Sequence, residues 1–419
     1  MNIQRIFCIF ITLSLSATMA TAQSAKALDG AWTGKLQFGG MSLTIVIHLD
    51  RDETGQPICA LDSPDQGAKG IKGKVDHLTD DSVAVSVASL NALYRGRLTG
   101  DSIKGTFRQN LMALPLVLHR GEEAVSRPQT PQPPFPYSTQ EVTFVNDRDK
   151  ATLAGTLTFP VDDKNVRLKN TPVVVMVSGS GQQNRDEEVF EHKPFLVLAD
   201  FLARHGIASL RYDDRATAQS TGGDVANATT EDFMRDAAAG VEFLRRQGTF
   251  RRIGILGHSE GATIAFMLGQ QKKVDFIISM GGVGVKGDTV LTAQANKILE
   301  LNGSSQKMST QAYRQTLSSQ NIPWVKYFID YDPTDALRAI RCPVMAINGA
   351  LDCQVISSLN LPAIRQALPK NRKHFFKEYP GLNHLMQHCT TGNSNEYRAI
   401  EETLSPEVLE DIAEWIRRL

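Results

Sequence analysis

From Pro172 onward, short solid apolar runs alternate with longer amphipathic stretches, and no other feature of the chain constrains its fold as tightly. Pro172–Val177 (PVVVMV), Ala208–Tyr212, Ile253–Leu256, Phe276–Met280, Pro343–Asn348 and His374–Glu378 read as strands. Between them, Lys193–Arg204 and Thr230–Gln247 read as helices stopped by Gly206 and Gly248. Ala262–Leu268, a stretch near Ser358–Leu368 and a last one from Pro406 complete the helical set. A strand that is apolar on both faces has to be covered on both, so this rhythm predicts an α/β fold with a doubly covered, mostly parallel sheet. VTFVND and ATLAGTLTFP, just before it, predict an antiparallel hairpin. Gly281–Arg341 interrupts the rhythm with polar helical segments and reads as a cap inserted over the carboxyl edge of the sheet.

The chain is 419 residues long, comfortable for two domains. Residues 28–120 carry short alternating runs separated by Gly, Asp and Ser, which predicts a small all-β accessory domain, barrel-like or sandwich-like. Residues 121–137 hold five prolines and read as a semi-rigid linker, leaving residues 138–419 to the α/β domain. At the start, MNIQRIFCIFITLSLSATMATA has one arginine, an apolar run and Ala20-Thr21-Ala22. This reads as a secretory signal peptide over residues 1–22, which predicts export, into a bacterial periplasm, without stable membrane insertion. Lys and Arg total 45, as do Asp and Glu, so charge recommends neither nucleic acid nor an anionic membrane surface as partner. In the mature chain the cysteines at 59, 342, 353 and 389 match no zinc spacing. A Cys353–Cys389 bridge and simple buried thiols are both open.

Arg252–Phe266 reads RIGILGHSEGATIAF. The pattern Gly-x-Ser-x-Gly, here Gly-His-Ser-Glu-Gly, arises by chance in roughly one chain in seven of this length. Its setting is more specific: a strand, a sharp turn and a helix are what a nucleophile elbow requires, with Gly257 and Gly261 small enough to permit it. Ser259 is thus the candidate nucleophile. It needs a general base and an orienting carboxylate, in the order Ser, acid, His. Asp352 follows the strand PVMAIN, and His384 follows the strand HFFKE and the Pro380-Gly381 turn. Asp330, Asp332 and Asp335 precede their strand and rank lower. His384 and His388 form HLMQH, which lacks the glutamate of the zincin motif, so no metal is expected. The backbone N–H of Glu260 and one from the loop SGSGQQNRDEE, Ser180 first and then Gly181 or Gln182, are the candidate oxyanion donors. His258 reads as structural, and Glu260 either as an amine-binding group or as an exposed one.

In combination, VSGSGQQNRDE, HKPFLVLADFLARHGIASLRYDDR, GHSEG, CPVMAINGALDCQV and YPGLNHL resemble the α/β-hydrolases, and more narrowly the EstD-like esterases, across roughly residues 138–419. That resemblance implies a Ser259–Asp352–His384 carboxylesterase with no cofactor and no metal. The chain departs from many α/β-hydrolases in having Ser178 where they have histidine, and in Ala216 within YDDRATAQSTGG. Asp213 and Arg215 then read as structural ion-pairing residues. The expectation is an exported serine hydrolase that cleaves esters of small acyl groups through an acyl-enzyme. A peptidase or amidase on the same scaffold is the alternative, and a ligand-binding protein on an inactive scaffold ranks below both.

Overall fold

Alternation in the first third of the chain closes into an eight-stranded antiparallel barrel: β1 (Gly30–Phe38), β2 (Met41–Arg51), β3 (Pro57–Ser63), β4 (Ala68–Leu78), β5 (Ser82–Val87), β6 (Ala92–Thr99), β7 (Ser102–Gln109) and β8 (Met112–Arg120). Each strand pairs with the next, and β8 returns to β1 at His119 opposite Thr33. Every second residue points inward, so Trp32, Ile45, Ile47, Val85 and Leu118 share one apolar interior. Closure removes the free edges that a sheet of short strands would otherwise expose. The computed structural model describes residues 25–38, 41–66, 68–121 and 125–419. The secretory signal expected over residues 1–22 lies outside the described residues.

The chain divides into two units between Val125 and Ser126. The proline-rich stretch is bound to the second unit from Ser126 on. The Arg127 guanidinium donates to the carbonyls of Phe190, Arg398 and Ile400, and Gln129 bridges the backbone of Thr403 and Leu404.

The second unit is built on a nine-stranded sheet: β9 (Tyr137–Asn146), β10 (Ala151–Pro160), β11 (Pro172–Val177), β12 (Ala208–Tyr212), β13 (Thr221–Gly222), β14 (Arg252–His258), β15 (Phe276–Met280), β16 (Val344–Gly349) and β17 (Phe375–Tyr379). Its spatial order is β13-β10-β12-β11-β14-β15-β16-β17, with β9 paired to β10. From β12 to β17 neighbouring strands are parallel, and β9 and β10 form the antiparallel hairpin. The helices are α1 (Pro194–Arg204), α2 (Thr230–Gln247), α3 (Glu260–Gln270), α4 (Gly287–Leu301), α5 (Thr310–Ser319), α6 (Pro323–Asp330), α7 (Thr334–Ala339), α8 (Ser357–Ala367) and α9 (Pro406–Arg418). Strand β11 shows why both faces are covered. Val173, Val175 and Val177 pack with α2, α3, α7 and α8, while Val174 and Met176 pack with α1 and α9.

The insertion between β15 and β16 forms α4, α5 and α6, whose apolar faces meet through Leu291, Leu317, Trp324, Val325 and Ile329. The last part of the expected 281–341 cap belongs instead to the body of the domain. Ala336 and Leu337 on α7 bury against the sheet core, which continuous apolar spacing within a polar stretch does not reveal. Among the described residues no helix is long and apolar enough to cross a membrane.

Past β12, Asp213 and Arg215 hold the crossover in place. Arg185 donates to both oxygens of Asp213, and buried Arg215 pairs with Asp236 at 2.7 Å and Asp149 at 3.0 Å. Replacing Arg215 by alanine leaves Asp236 a buried carboxylate without its cation. We expect a loss of about 3–5 kcal/mol, read as a lower urea midpoint with unchanged slope.

Candidate active site

Strand β14 ends in a turn that only small neighbours permit. Ser259 has φ 54° and ψ −117°, a conformation that is strained for any residue with a side chain. A Cβ on Gly257 would sit 2.0 Å from the Gly261 carbonyl oxygen, and one on Gly261 would sit 2.2 Å from the Val177 oxygen. The two glycines let α3 start against β11 and β14, and the Ser259 N–H bonds the Met280 carbonyl at 2.9 Å. The serine is thereby presented at the N-terminus of α3, as the elbow reading requires.

Asp352 and His384 arrive from loops after β16 and β17. His384 Nδ1 donates to Asp352 Oδ2 at 2.7 Å. Asp352 Oδ1 accepts the N–H groups of Gln354 and Val355, each at 2.8 Å. One carboxylate oxygen thus orients the imidazole, and the other is fixed by its own loop. Both residues are buried, and His384 and Ser259 line one cavity of about 500 Å³. Gly281, which the sequence reading did not single out, makes room for the pair. At its φ of +56° a Cβ would lie 3.1 Å from the His384 ring and 3.4 Å from Asp352 Oδ2. Its signal was the Gly281-Gly282 pair immediately after β15.

Other polar residues brace the loops. Gly179 donates its N–H to Glu187 Oε1 at 2.7 Å, so that donor is already used. Glu187 Oε1 also meets His258 Nδ1 at 2.9 Å, and His258 Nε2 donates to the His384 carbonyl at 3.0 Å. A single carboxylate and a single imidazole therefore join the Gly179 loop, the elbow and the His384 loop. His258 is structural, as its position in the motif suggested. Glu187 was missed, because it looks like one more acid in a charged loop.

Of the loop donors considered, Ser180 lines the cavity and is exposed beside Ser259; Gly181 and Gln182 are exposed and do not line it. Glu260 fits neither role read for its side chain. It is buried, accepts from Thr230 Oγ1 at 2.6 Å and from Trp324 Nε1 at 2.8 Å, and bonds the Ser180 side chain. Burial pushes its carboxyl above the usual range. The apolar wall comes from the cap and the Asp352 loop: Val283, Val290, Leu291, Trp324, Phe328 and Val355.

His388 does not join His384. Its ring turns outward onto Glu402 at 2.8 Å. Asp330 pairs with Arg314, and Asp332 caps the Thr334 N–H, both away from the cavity. The Cys353–Cys389 bridge is not formed. Both are free thiols, with Cys389 Sγ donating to the Gly381 carbonyl at 3.5 Å and Cys353 buried beside Tyr397.

Asp214 fixes the Gly179 loop from below. Ser178 Oγ lies 3.2 Å from both its oxygens, and the Gln183 N–H donates to Oδ2 at 2.8 Å. Burial pushes the carboxyl up to about 8, against a free value of about 3.9. The folded protein therefore keeps a proton that the unfolded chain gives up. This contribution is fully present below about pH 4 and is lost as pH rises to about 8. Wild-type stability should fall across that window, and Asp214→Asn should flatten the fall and be the more stable protein above pH 8. Urea titrations at pH 5, 7 and 9 measure both.

Residues 191–323 match the family model described as serine aminopeptidase, S33. The chain is 26% identical over 269 residues to Esterase EstD of Thermotoga maritima, an alignment that covers 58% of this chain and 62% of that protein. It thus spans less than two thirds of the length of that relative. Among solved structures it is similar to the Pyrococcus furiosus esterase Pf2001 (17% identity, TM-score 0.45, 71% of this chain and 99% of that one). It is also similar to Est1E from Butyrivibrio proteoclasticus (15% identity, TM-score 0.44, 66% and 99%).

Proposed function

We propose that this chain, an α/β-hydrolase by fold, is an exported serine hydrolase that cleaves carboxylic esters through an acyl-enzyme. The observation that carries this reading is the Asp352–His384 hydrogen bond on the cavity that strained Ser259 also lines. With Nδ1–H engaged by Asp352, the free ring nitrogen Nε2 is the base, and Asp352 holds that tautomer. His384 takes the Ser259 proton as Oγ attacks the ester carbonyl. The oxyanion then meets the N–H groups of Glu260 and Ser180, since the Gly179 N–H is held by Glu187. His384 returns the proton to the leaving alcohol, and a water repeats the sequence to release the acid.

The cap wall of Val283, Val290, Leu291, Trp324 and Phe328 supports an apolar acyl or alcohol group as the part of the substrate that is recognised. Esters are favoured over peptides with a free amino end because Glu260, the acid next to the nucleophile, is turned away from the cavity and satisfied. For the N-terminus, residues 1–22 are read as a removable export signal, so the exported form should begin at Gln23; the mass of the periplasmic product checks this.

Hydrolysis of p-nitrophenyl acetate and butyrate by purified protein tests the central reading. Ser259→Ala and His384→Ala should each lower turnover by on the order of 10⁴-fold or more, and the double variant should lose little beyond either single one. Faster cleavage of aminoacyl-nitroanilides than of esters would move the assignment to a peptidase.

A further inference from the structure

The interior of the β1–β8 barrel is packed at one end and hollow at the other. Toward the packed end, Trp32, Ile47, Ile103 and Leu118 fill the space, and the Trp32 indole is tied to the Leu28 carbonyl at 2.8 Å. Tyr94 lies across the middle with its hydroxyl donating to the Ile103 carbonyl at 3.0 Å. Gly96 and Gly105 admit it, since a Cβ on either would come within 2.7 Å of that hydroxyl. On the far side of Tyr94 a cavity of about 260 Å³ remains, toward the end of the barrel marked by Leu36, Leu43, Ser63, Leu90 and Met112.

Inward-facing Leu43, Ile45, Leu61, Ile71, Phe107 and Leu114 line this cavity. Leu43, Ile71 and Leu114 are only half-buried: each packs against the barrel core and also lines the cavity. Polar groups in the wall are few, and some already hold protein partners. Ser63 Oγ donates to Gln66 Oε1 at 2.8 Å, and Gln109 Nε2 donates to the Leu90 carbonyl at 3.0 Å. No charged side chain lines it among the described residues. At the same end, Leu111 is fully exposed and Met112 half-exposed, with Met112 part of the wall.

Natural interiors carry few voids larger than a water molecule, and eight strands enclose either a filled core or room for one small ligand. This barrel does the first in one half and the second in the other. We infer that the hollow half is a binding site for the hydrocarbon part of a small uncharged amphiphile, whose polar end stays at the rim by Gln66 and Gln109. An apolar cavity of roughly 150 Å³ accepts benzene, so this one takes roughly ten carbons. A fully polar ligand would find mostly apolar wall away from that rim, and an anion would find no cation along it among the described residues. The bore of eight strands is also too narrow for a folded segment of another protein. The inference stands apart from the chemistry assigned to Ser259.

The test is calorimetric titration of the full chain with n-alkan-1-ols from hexanol to dodecanol. Two variants fill the hollow, Leu114→Trp and Ile71→Trp, and Leu43→Gln keeps its volume but makes it polar. Each is first checked for folding by circular dichroism and for assembly by sedimentation. The expected result is one site whose affinity rises about fourfold per methylene up to about ten carbons and is flat beyond. It should weaken at least tenfold in every variant that folds, with p-nitrophenyl ester hydrolysis unchanged. Absence of a chain-length dependence would overturn the proposal. So would binding that persists in all the variants, which would place the alcohols in the Ser259 cavity. A variant that changes the sedimentation of the protein while alkanol binding stays the same would give the hollow to a second copy of the chain.

Discussion

The second unit is organised around one steric constraint, the turn that carries Ser259. A side-chain residue at φ 54° persists only if its surroundings leave it no alternative. Those surroundings are the close approach of α3 to β14 and β11, at distances where a methyl group on Gly257 or Gly261 would overlap backbone oxygen. The strain is held by burial on both faces: Val174 and Met176 pack to one side, Val173, Val175 and Val177 to the other, all almost fully buried. The sheet is thus a rigid base for a local conformation that would otherwise relax, and the serine is delivered at the end of a helix whose first N–H groups are unspent.

Around that point, polar contacts convert loops into fixed geometry. Asp214 anchors the start of the Gly179 loop through Ser178 and Gln183, and Glu187 fixes Gly179 itself. Glu260 ties the first residue of α3 to Thr230 on α2 and to Trp324 in the cap. Because Glu187 and Glu260 are buried, losing a partner there leaves an unpaired charged or polar group in low dielectric, a penalty larger than the net gain of the bond. The cap is therefore coupled to the elbow by a side-chain contact as well as by apolar packing. A change at Trp324 would be felt at Glu260, whose backbone N–H is one of the two donors assigned to the oxyanion.

How much of this could be read from the chain follows from the range of the interactions. Strands β11, β12, β15 and β16 and helices α1 and α2 were legible to within a residue and β14 to within two, because solid apolar runs and stop glycines are local signals; the two-residue β13 carries no such signal and was not foreseen. Asp352 and His384 were legible because chain order and position after a strand narrow the choice, and the structure brings them within 2.7 Å. What was hidden depends on partners remote in sequence. Glu187 and His258 are 71 residues apart, and neither stretch hints at the other. Glu260 and Trp324 are 64 apart, which is why an acid beside the nucleophile read as a possible amine-binding or exposed group when it is buried. α7 was absorbed into the cap because a short amphipathic helix looks the same over a cleft as over a sheet. For Cys353 and Cys389, closeness to the same loops was readable, but their state as separate free thiols was not.

Proton accounting at His258 carries the same reasoning into the chemistry. Its Nδ1 faces a carboxylate oxygen and its Nε2 faces a carbonyl, so both ring nitrogens stand opposite acceptors. A neutral imidazole has one N–H and can satisfy only one of them. The arrangement is complete when His258 and Glu187 together carry an imidazolium and a carboxylate, and Glu187 pushes the His258 pKa above its ordinary value against the opposing effect of burial. The ring centroids of His258 and His384 are 4.6 Å apart. On the proposed mechanism His384 becomes cationic in each half-reaction, so two imidazolium rings would then lie side by side. Asp352 and Glu187 supply one carboxylate for each, and neither is shared with solvent. Before the proton moves the four groups carry one net negative charge, and afterwards they carry none. The oxyanion of the tetrahedral intermediate, formed from the ester carbonyl, carries the balancing negative charge at the α3 N-terminus. The second carboxylate–imidazole pair thus braces three loops at once without leaving a net positive charge beside the histidine that has to accept the proton.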